Sequence, residues 1–546
     1  MATENRHLHL TEGALRVPET QNLTSVKLWC EYAIWGLLFY DDQSPWLTLV
    51  ETMHICFDRH RQNKPIFAGL AGTQTAPEHE KVEYTQALNT ALRHILFRDR
   101  EVLRVADRTA DSASMWKAWL DTVERDYESL ELGYLEREFN SFRDFARAVE
   151  LLRSAEIESH TDKRWTSRHI LPLGTAMLFP DVNQQYNLDR KFMRRTGEML
   201  YLMLNRSTDH FCVADLLARR LLRVGTTWNK LASRLSGPED AQINTTNIGY
   251  LPMARHSTYE LLAKDWLALL SLDSIPIENL LDPLQRISGL IQAIYIIERA
   301  YDVMGSDAPP RSPLFLDIVG APGNNPIRKL SANQYRHHKT LPQSATTAFI
   351  DAFIASPEWT AVLTSEAGAQ ESAAILKKRF RWSPRRTPDP DRLPDPTAQI
   401  TELVSEAQAT RGHHIGATFT NHTRQIGLLR AQRSSGTWYA PTDAFLEMLV
   451  LTNVTTPLEY SEFLQKLMDK YDIVVGPEEV RAAFGVRSNA LPAPLADLKE
   501  NERRLEDRLR ILGFLERKSD DCAFVINPFV ATSSSVATGA QTSVDA

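Results

Sequence analysis

From Val26 onward, apolar residues return every three or four positions for nearly three hundred residues, and this spacing constrains the fold more than any other feature of the chain. Val26, Trp29, Cys30, Ala33, Leu37 and Leu38 mark one stripe. Leu49, Val50, Met53 and Phe57 mark a second. Tyr84, Ala87, Leu88, Ala91, Leu92, Ile95 and Leu96 mark a longer third. Such spacing gathers apolar side chains on one face of an α-helix, which must then be buried against another element. The pattern returns over 115–132, 139–152, 214–224, 259–272 and 284–301, with Gly and Pro gathered between the segments. The strand–helix alternation of a doubly wound sheet is absent. One stretch differs. RWTSRHILPLGTAMLFPDV reads as extended, and it leads into RKFMRRTGEMLYLMLNRS, an apolar helix with a basic entrance that Asp189 is placed to cap.

The C-terminal third has another order. Residues 398–409 and 415–426 read as two helices. Leu428–Ala431 and Thr437–Ala440 then read as the strands of a hairpin with Ser-Gly at its tip. Helix, helix, hairpin is the winged-helix order. It recurs at 443–530. Residues 444–451 are an apolar helix, Thr456-Pro457-x-Glu459 looks like a helix start, and Gly476-Pro477 opens another helix. A long helix then stops at Gly513, and 514–517 and 523–526 form a second hairpin. The expected fold is therefore mainly α, a multi-domain helical protein with C-terminal tandem winged-helix-like units whose wings are short β-hairpins.

At 546 residues the chain has room for about three domains. The breaks DAPPRSP and GAPGNNP and the proline-rich SPRRTPDPDRLPDP suggest a helical domain over 1–164 and a central helical domain over 165–310. A basic segment and linker follow over 311–396, then winged-helix-like units over 397–442 and 443–530. The small polar tail, 531–546, reads as disordered. The four cysteines form no CxxC pair and no disulfide framework, and the longest apolar stretch is too short to span a bilayer. Together with the polar N-terminus these features predict a cytoplasmic protein without a membrane anchor.

Charge is distributed unevenly. The chain nets −7, yet residues 324–440 carry fifteen Lys and Arg against nine Asp and Glu, a net of +6 that leaves −13 for the rest. Nucleic-acid binding requires a local basic footprint, and this segment offers one. The candidate contacts are Arg328, Lys329, Arg336 and Lys339 in the basic segment, with Asn421, Arg424, Arg430 and Arg433 around the second helix and wing of the first unit. Thr423 and the histidines His413, His414 and His422 surround the same helix. The second unit nets −5, which favours a structural or protein-binding role.

Catalytic motifs are scarce. The chain contains no GxxxxGK(S/T), GxGxxG, GxSxG or HExxH sequence. Pro180-Asp181 followed by Asp189-Arg190-Lys191 approximates the acidic pair and lysine of a divalent-metal nuclease, but NLDRKFMRR is too polar for the buried strand such a site needs. His54, Cys56, Asp58 and His60 crowd one helix, but only two fall on any one face, too few for a tetrahedral metal site. No cofactor and no metal is expected. Arg190, Lys191, Arg194 and Arg195 oppose the dipole of the helix they open, and with Arg219, Arg220 and Arg223 they call for an anionic partner.

Three stretches, RKFMRRTGEMLYLMLNRS (190–207), NNPIRKLSANQYRHHK (324–339) and NERRLEDRLRILGFLERKSDDCAFVINPF (501–529), resemble uncharacterised proteins of bacterial anti-phage defence islands. The resemblance implies a subunit of a multi-gene defence system acting with a separate ATPase, nuclease or methyltransferase, and it carries no functional residue across. The expected function is non-enzymatic DNA and partner binding. The alternatives are a divalent-metal nuclease around Asp181, Asp189 and Lys191, and a pure protein scaffold.

Overall fold

The computed structural model describes residues 15, 17, 25–36, 43–70, 72–73, 76–77, 81–108, 111–127, 130–157, 169–180, 193–223, 225–237, 243–320, 325–384, 393–409, 415–433, 436–485, 491–519 and 522–530. The fold is mainly α. Helix α1 (Val26–Trp35) is capped by the Ser25 hydroxyl, and α2 (Pro45–Arg61) starts behind Ser44 with proline in its first turn. Two ladders follow: β1 (Gly72–Thr73) pairs with β2 (Ala76–Pro77), and β3 (Glu83–Ala87) pairs antiparallel with β4 (Ile243–Asn247). Tyr84 and Ala87, expected on a helix, therefore lie in a strand. Their partner is distant in sequence and invisible to local periodicity. Helix α3 (Thr90–Phe97) begins only after Asn89, whose side chain accepts from the Leu92 N–H.

Helices α4 (Asp99–Ala106), α5 (Ser112–Asp126), α6 (Leu135–Glu138) and α7 (Phe142–Arg153) complete the first region. Trp116 of α5 meets Phe142 of α7 edge-on at 4.9 Å between ring centres. The basic-entrance helix, α8 (Thr196–Arg206), begins six residues later than expected at Arg190, and a side chain of α2 caps it. The buried Glu51 carboxylate accepts from the Arg195 N–H at 3.0 Å and the Gly197 N–H at 2.9 Å. A side chain at Gly197 would put its Cβ 2.6 Å from that of Glu51, so glycine allows α2 and α8 to approach closely. Asp189 itself lies outside the described residues.

Helices α9 (His210–Arg220), α10 (Thr227–Leu235), α11 (Ser257–Leu270) and α12 (Ile277–Met304) follow. Most of α12 is buried, and it holds α1 by polar contacts as well as packing. The Trp35 indole donates to the Ile296 carbonyl at 3.1 Å, and the Tyr295 hydroxyl donates to the Trp35 carbonyl at 3.0 Å.

The rest of the chain builds on α12. After β5 (Leu314–Phe315) come α13 (Pro326–Ile354), α14 (Pro357–Thr364), α15 (Gly368–Phe380), α16 (Pro396–Ala407) and α17 (Ile415–Gln425). β6 (Leu429–Gln432) and β7 (Gly436–Tyr439) form the expected hairpin, shifted by a single residue. Then come α18 (Asp443–Asn453), β8 (Leu458–Glu459), α19 (Tyr460–Tyr471), β9 (Ile473–Val474), α20 (Pro477–Phe484), α21 (Leu495–Ile511), β10 (Leu515–Arg517) and β11 (Ala523–Val525). Thr456-Pro457-x-Glu459 does not open a helix as expected. Leu458 and Glu459 form a short strand on β11, and α19 starts at Tyr460.

Long-range pairs bind the middle of the chain to its C-terminal third. β5 runs parallel to β9, Leu314 beside Ile473 and Phe315 beside Val474. The buried Asp265 of α11 pairs with Lys470 of α19 and accepts from the Tyr471 hydroxyl at 3.0 Å. The main cluster of buried apolar side chains runs from Val26 to Val525, through the segments set apart above at 164, 310 and 442. None of the described helices is long and apolar enough to cross a membrane.

Candidate nucleic-acid interface

The hairpin owes its position to α13. Asn325 caps this helix, Pro326 starts it, and Ile327, Leu330, Tyr335 and Leu341 fall on its buried side. Ser331 inserts between helix and hairpin. Its hydroxyl donates to the Tyr439 carbonyl at 3.1 Å and accepts from the Tyr439 N–H at 2.9 Å. His338, buried two turns further on, bonds the Ser312 carbonyl through Nε2 at 2.8 Å and the Tyr439 hydroxyl through Nδ1 at 2.7 Å. A carbonyl only accepts, so Nε2 carries the proton and Nδ1 accepts from Tyr439. Burial pushes the His338 imidazole down to about 4, which keeps it neutral in this role. Tyr335 completes the mount, its hydroxyl 2.8 Å from the Thr420 hydroxyl of α17.

The predicted contacts divide on this scaffold. Lys329, Arg336 and Lys339 are exposed on α13, and their spacing of seven and then three residues keeps them on one side of the helix. Arg424 is exposed on α17, near enough to Tyr335 that its charge partly offsets the rise that burial imposes on that phenol. Arg430 is exposed on β6 and Arg433 at the turn beyond it. Arg430 stands opposite Trp438 in the hairpin register. Asn421 is half-buried on α17, three residues before Arg424.

Arg328 is different. It is 4% exposed, its guanidinium lies 4.4 Å over the Trp438 ring, and its Nε donates to the buried Asp317 carboxylate at 3.2 Å. This arginine pins the loop before α13 to the hairpin and does not belong to an exposed basic surface. His422 and Thr423 are also internal. His422 Nε2 bonds the Gln43 carbonyl at 2.6 Å, and the Thr423 hydroxyl donates to the Phe419 carbonyl at 2.6 Å, because both sit on the inner face of α17. His413 and His414 lie outside the described residues.

Described members of the other clusters, Arg195 and Arg220, find partners within the chain. Arg195 forms a two-point ion pair with Glu198, at 2.7 and 2.9 Å. Arg220 donates to the carbonyls of Leu270, Leu272 and Ile275, tying α9 to the end of α11. Asp181, Asp189 and Lys191, the nuclease candidates, lie outside the described residues, as do Arg190 and the tail. Among the described residues no three metal-ligating side chains converge.

Several arginines of the second unit pair within it. Arg503 and Arg504 hold Glu500, whose carboxyl they keep down at about 2. Arg508 pairs with Asp443, Arg510 with Asp507 and Arg517 with Glu506. Apart from those pairs, α13, α17 and the first hairpin carry Lys329, Arg336, Lys339, Arg424, Arg430 and Arg433 exposed. Reading 324–392 for charge alone missed the mount of Ser331, Tyr335 and His338. The signal was present: a proline after a capping asparagine, then an apolar stripe. No protein-family model matches the chain, and no curated protein is similar to it.

Proposed function

We propose that this chain is a non-enzymatic subunit that binds DNA through the face formed by α13, α17 and the β6–β7 hairpin. The observation that carries the reading is the placement of Lys329, Arg336, Lys339, Arg424, Arg430 and Arg433. All six are exposed, on elements locked together by Ser331, Tyr335 and His338. A rigid scaffold holding cations at its surface is what phosphate recognition needs, because phosphate contacts supply most of the affinity. Two further features support a winged-helix reading. Residues 396–439 run helix, helix, hairpin, and residues 443–525 run helix, strand, helix, strand, helix, helix, hairpin with strand order β10–β11–β8. In the second unit the internally paired arginines and net negative charge favour protein contacts, which suits a partner-binding role. The resemblance to defence-island proteins makes that partner an ATPase, nuclease or methyltransferase subunit.

A mobility-shift assay with duplex DNA tests the reading. Replacing Arg424, Arg430 and Arg433 together by alanine is expected to weaken binding at least about tenfold at moderate salt, since each lost phosphate contact releases fewer counterions. Undetectable wild-type binding, or binding that the triple substitution leaves unchanged, refutes it.

A further inference from the structure

Away from the basic face, a cleft of about 320 Å³ opens between α2, the β3–α3 junction, the short turn at 175–177 and the end of α10. This is within the size range of small-molecule sites. One wall is a single face of α2, carrying His54, Phe57, Asp58 and Arg61 at positions i, i+3, i+4 and i+7. The Asp58 carboxylate is already satisfied. It accepts from the Thr85 N–H at 2.8 Å, the Thr85 hydroxyl at 2.5 Å, Gln62 at 2.7 Å and Arg61 at 3.1 Å. It therefore anchors Arg61 at the cleft and presents no uncompensated negative charge.

The opposite wall has the reverse polarity. The Ser233 hydroxyl donates to the Asn229 carbonyl at 2.8 Å, and the Ser236 hydroxyl donates to the Ala232 carbonyl at 2.8 Å. A hydroxyl has one proton, so both have spent it on their own helix and keep lone pairs for other partners. Asn89 already uses one of the Ser236 lone pairs, at 2.7 Å. The cleft thus accepts hydrogen bonds at its serine wall and presents at the other the Arg61 guanidinium, which already donates to Asp58 at 3.1 Å and to the Thr85 hydroxyl at 3.4 Å, with Phe57, Leu88 and Leu178 as apolar surface between.

We propose that this cleft binds a small polar heterocycle of the nucleoside class. Such a molecule carries amine or hydroxyl donors for Ser233 and Ser236, carbonyl or ring-nitrogen acceptors for Arg61, and a flat apolar body for Phe57. This inference is independent of the DNA-binding reading, because no residue is shared between the two surfaces.

Isothermal titration calorimetry on the full chain tests it, with adenosine, guanosine, cytidine and uridine as probes and ribose and inorganic phosphate as controls. At least one nucleoside is expected to bind more tightly than about 1 mM, with neither control binding. Ser233→Tyr, at an exposed position, places a ring in the cleft and is expected to weaken binding about tenfold or more, as is Arg61→Gln. Thermal melts of both variants establish that they fold, and Arg61→Gln alone carries the comparison if Ser233→Tyr does not. The proposal is overturned by the absence of heat with all four nucleosides, by equal binding of ribose or phosphate, or by nucleoside binding that a folded variant leaves intact.

Discussion

At the scale of single residues, Glu51 explains a basic helix entrance that otherwise looks unstable. Its carboxylate takes the place of the external anion that Arg194 and Arg195 seemed to require, accepting from the two N–H groups at the start of α8 while Gln43 donates to it at 3.1 Å. Glu51→Ala should leave those buried donors unsatisfied and cost about 2–4 kcal/mol, measured as a lowered urea midpoint. Asp265 is the second residue with a defined consequence. Burial raises its carboxyl from 3.8 to about 6, against the pull of Lys470 and Tyr471. Between roughly pH 4 and 6 the folded chain holds a proton here that the unfolded chain has released, so the group's contribution to stability falls as pH rises through that window. Relative to Asp265→Asn, the wild type should therefore lose stability between about pH 4 and about pH 7, and a difference that does not change with pH contradicts this. The need for an anion at α8 was legible from four clustered cations. Its identity was not, because Glu51 is 144 residues from the N–H it caps.

At the scale of elements, those that local sequence specifies are the legible ones. The β6–β7 hairpin is legible from alternation and a Ser-Gly tip, and α21 from its stripe and the glycine that ends it at φ 81°. Elements defined by a distant partner are not. β8 is two residues long and exists because Phe524 and Val525 lie alongside it, and β3 exists because β4 does. Helix and strand periodicities are hard to separate over five residues, so Tyr84, which is buried in either arrangement, looked helical. The α13–hairpin junction makes a prediction of its own. His338 accepts from Tyr439 only while neutral, and burial lowers it from 6.5 to about 4, so its stabilising contribution is complete above pH 6.5 and is lost as pH falls toward 4. Imidazole resonances in a pH titration should show His338 unprotonated at about pH 5, where an ordinary histidine is charged. Titration near 6.5 would mean that the mount is open to solvent.

At the scale of the whole molecule, the distribution of charge matters more than its total. The chain nets −7, but 324–440 nets +6, and Lys329, Arg336, Lys339, Arg424, Arg430 and Arg433 stand there on elements fixed to one another. Of the eight residues predicted to meet DNA, six are exposed, Asn421 is half-buried, and Arg328 is consumed by Asp317 and Trp438. Composition located the basic segment but could not separate an arginine that holds a loop from one that faces solvent, since that depends on a tryptophan 110 positions away. The central claim is an electrostatic surface, and its most direct test is the slope of log affinity against log salt concentration, measured by fluorescence anisotropy with a labelled duplex. The wild type should lose affinity steeply with salt, and replacing Arg424, Arg430 and Arg433 by alanine should reduce the slope by up to about 3. A wild-type affinity that does not depend on salt, or an identical slope for the folded triple variant, would contradict it.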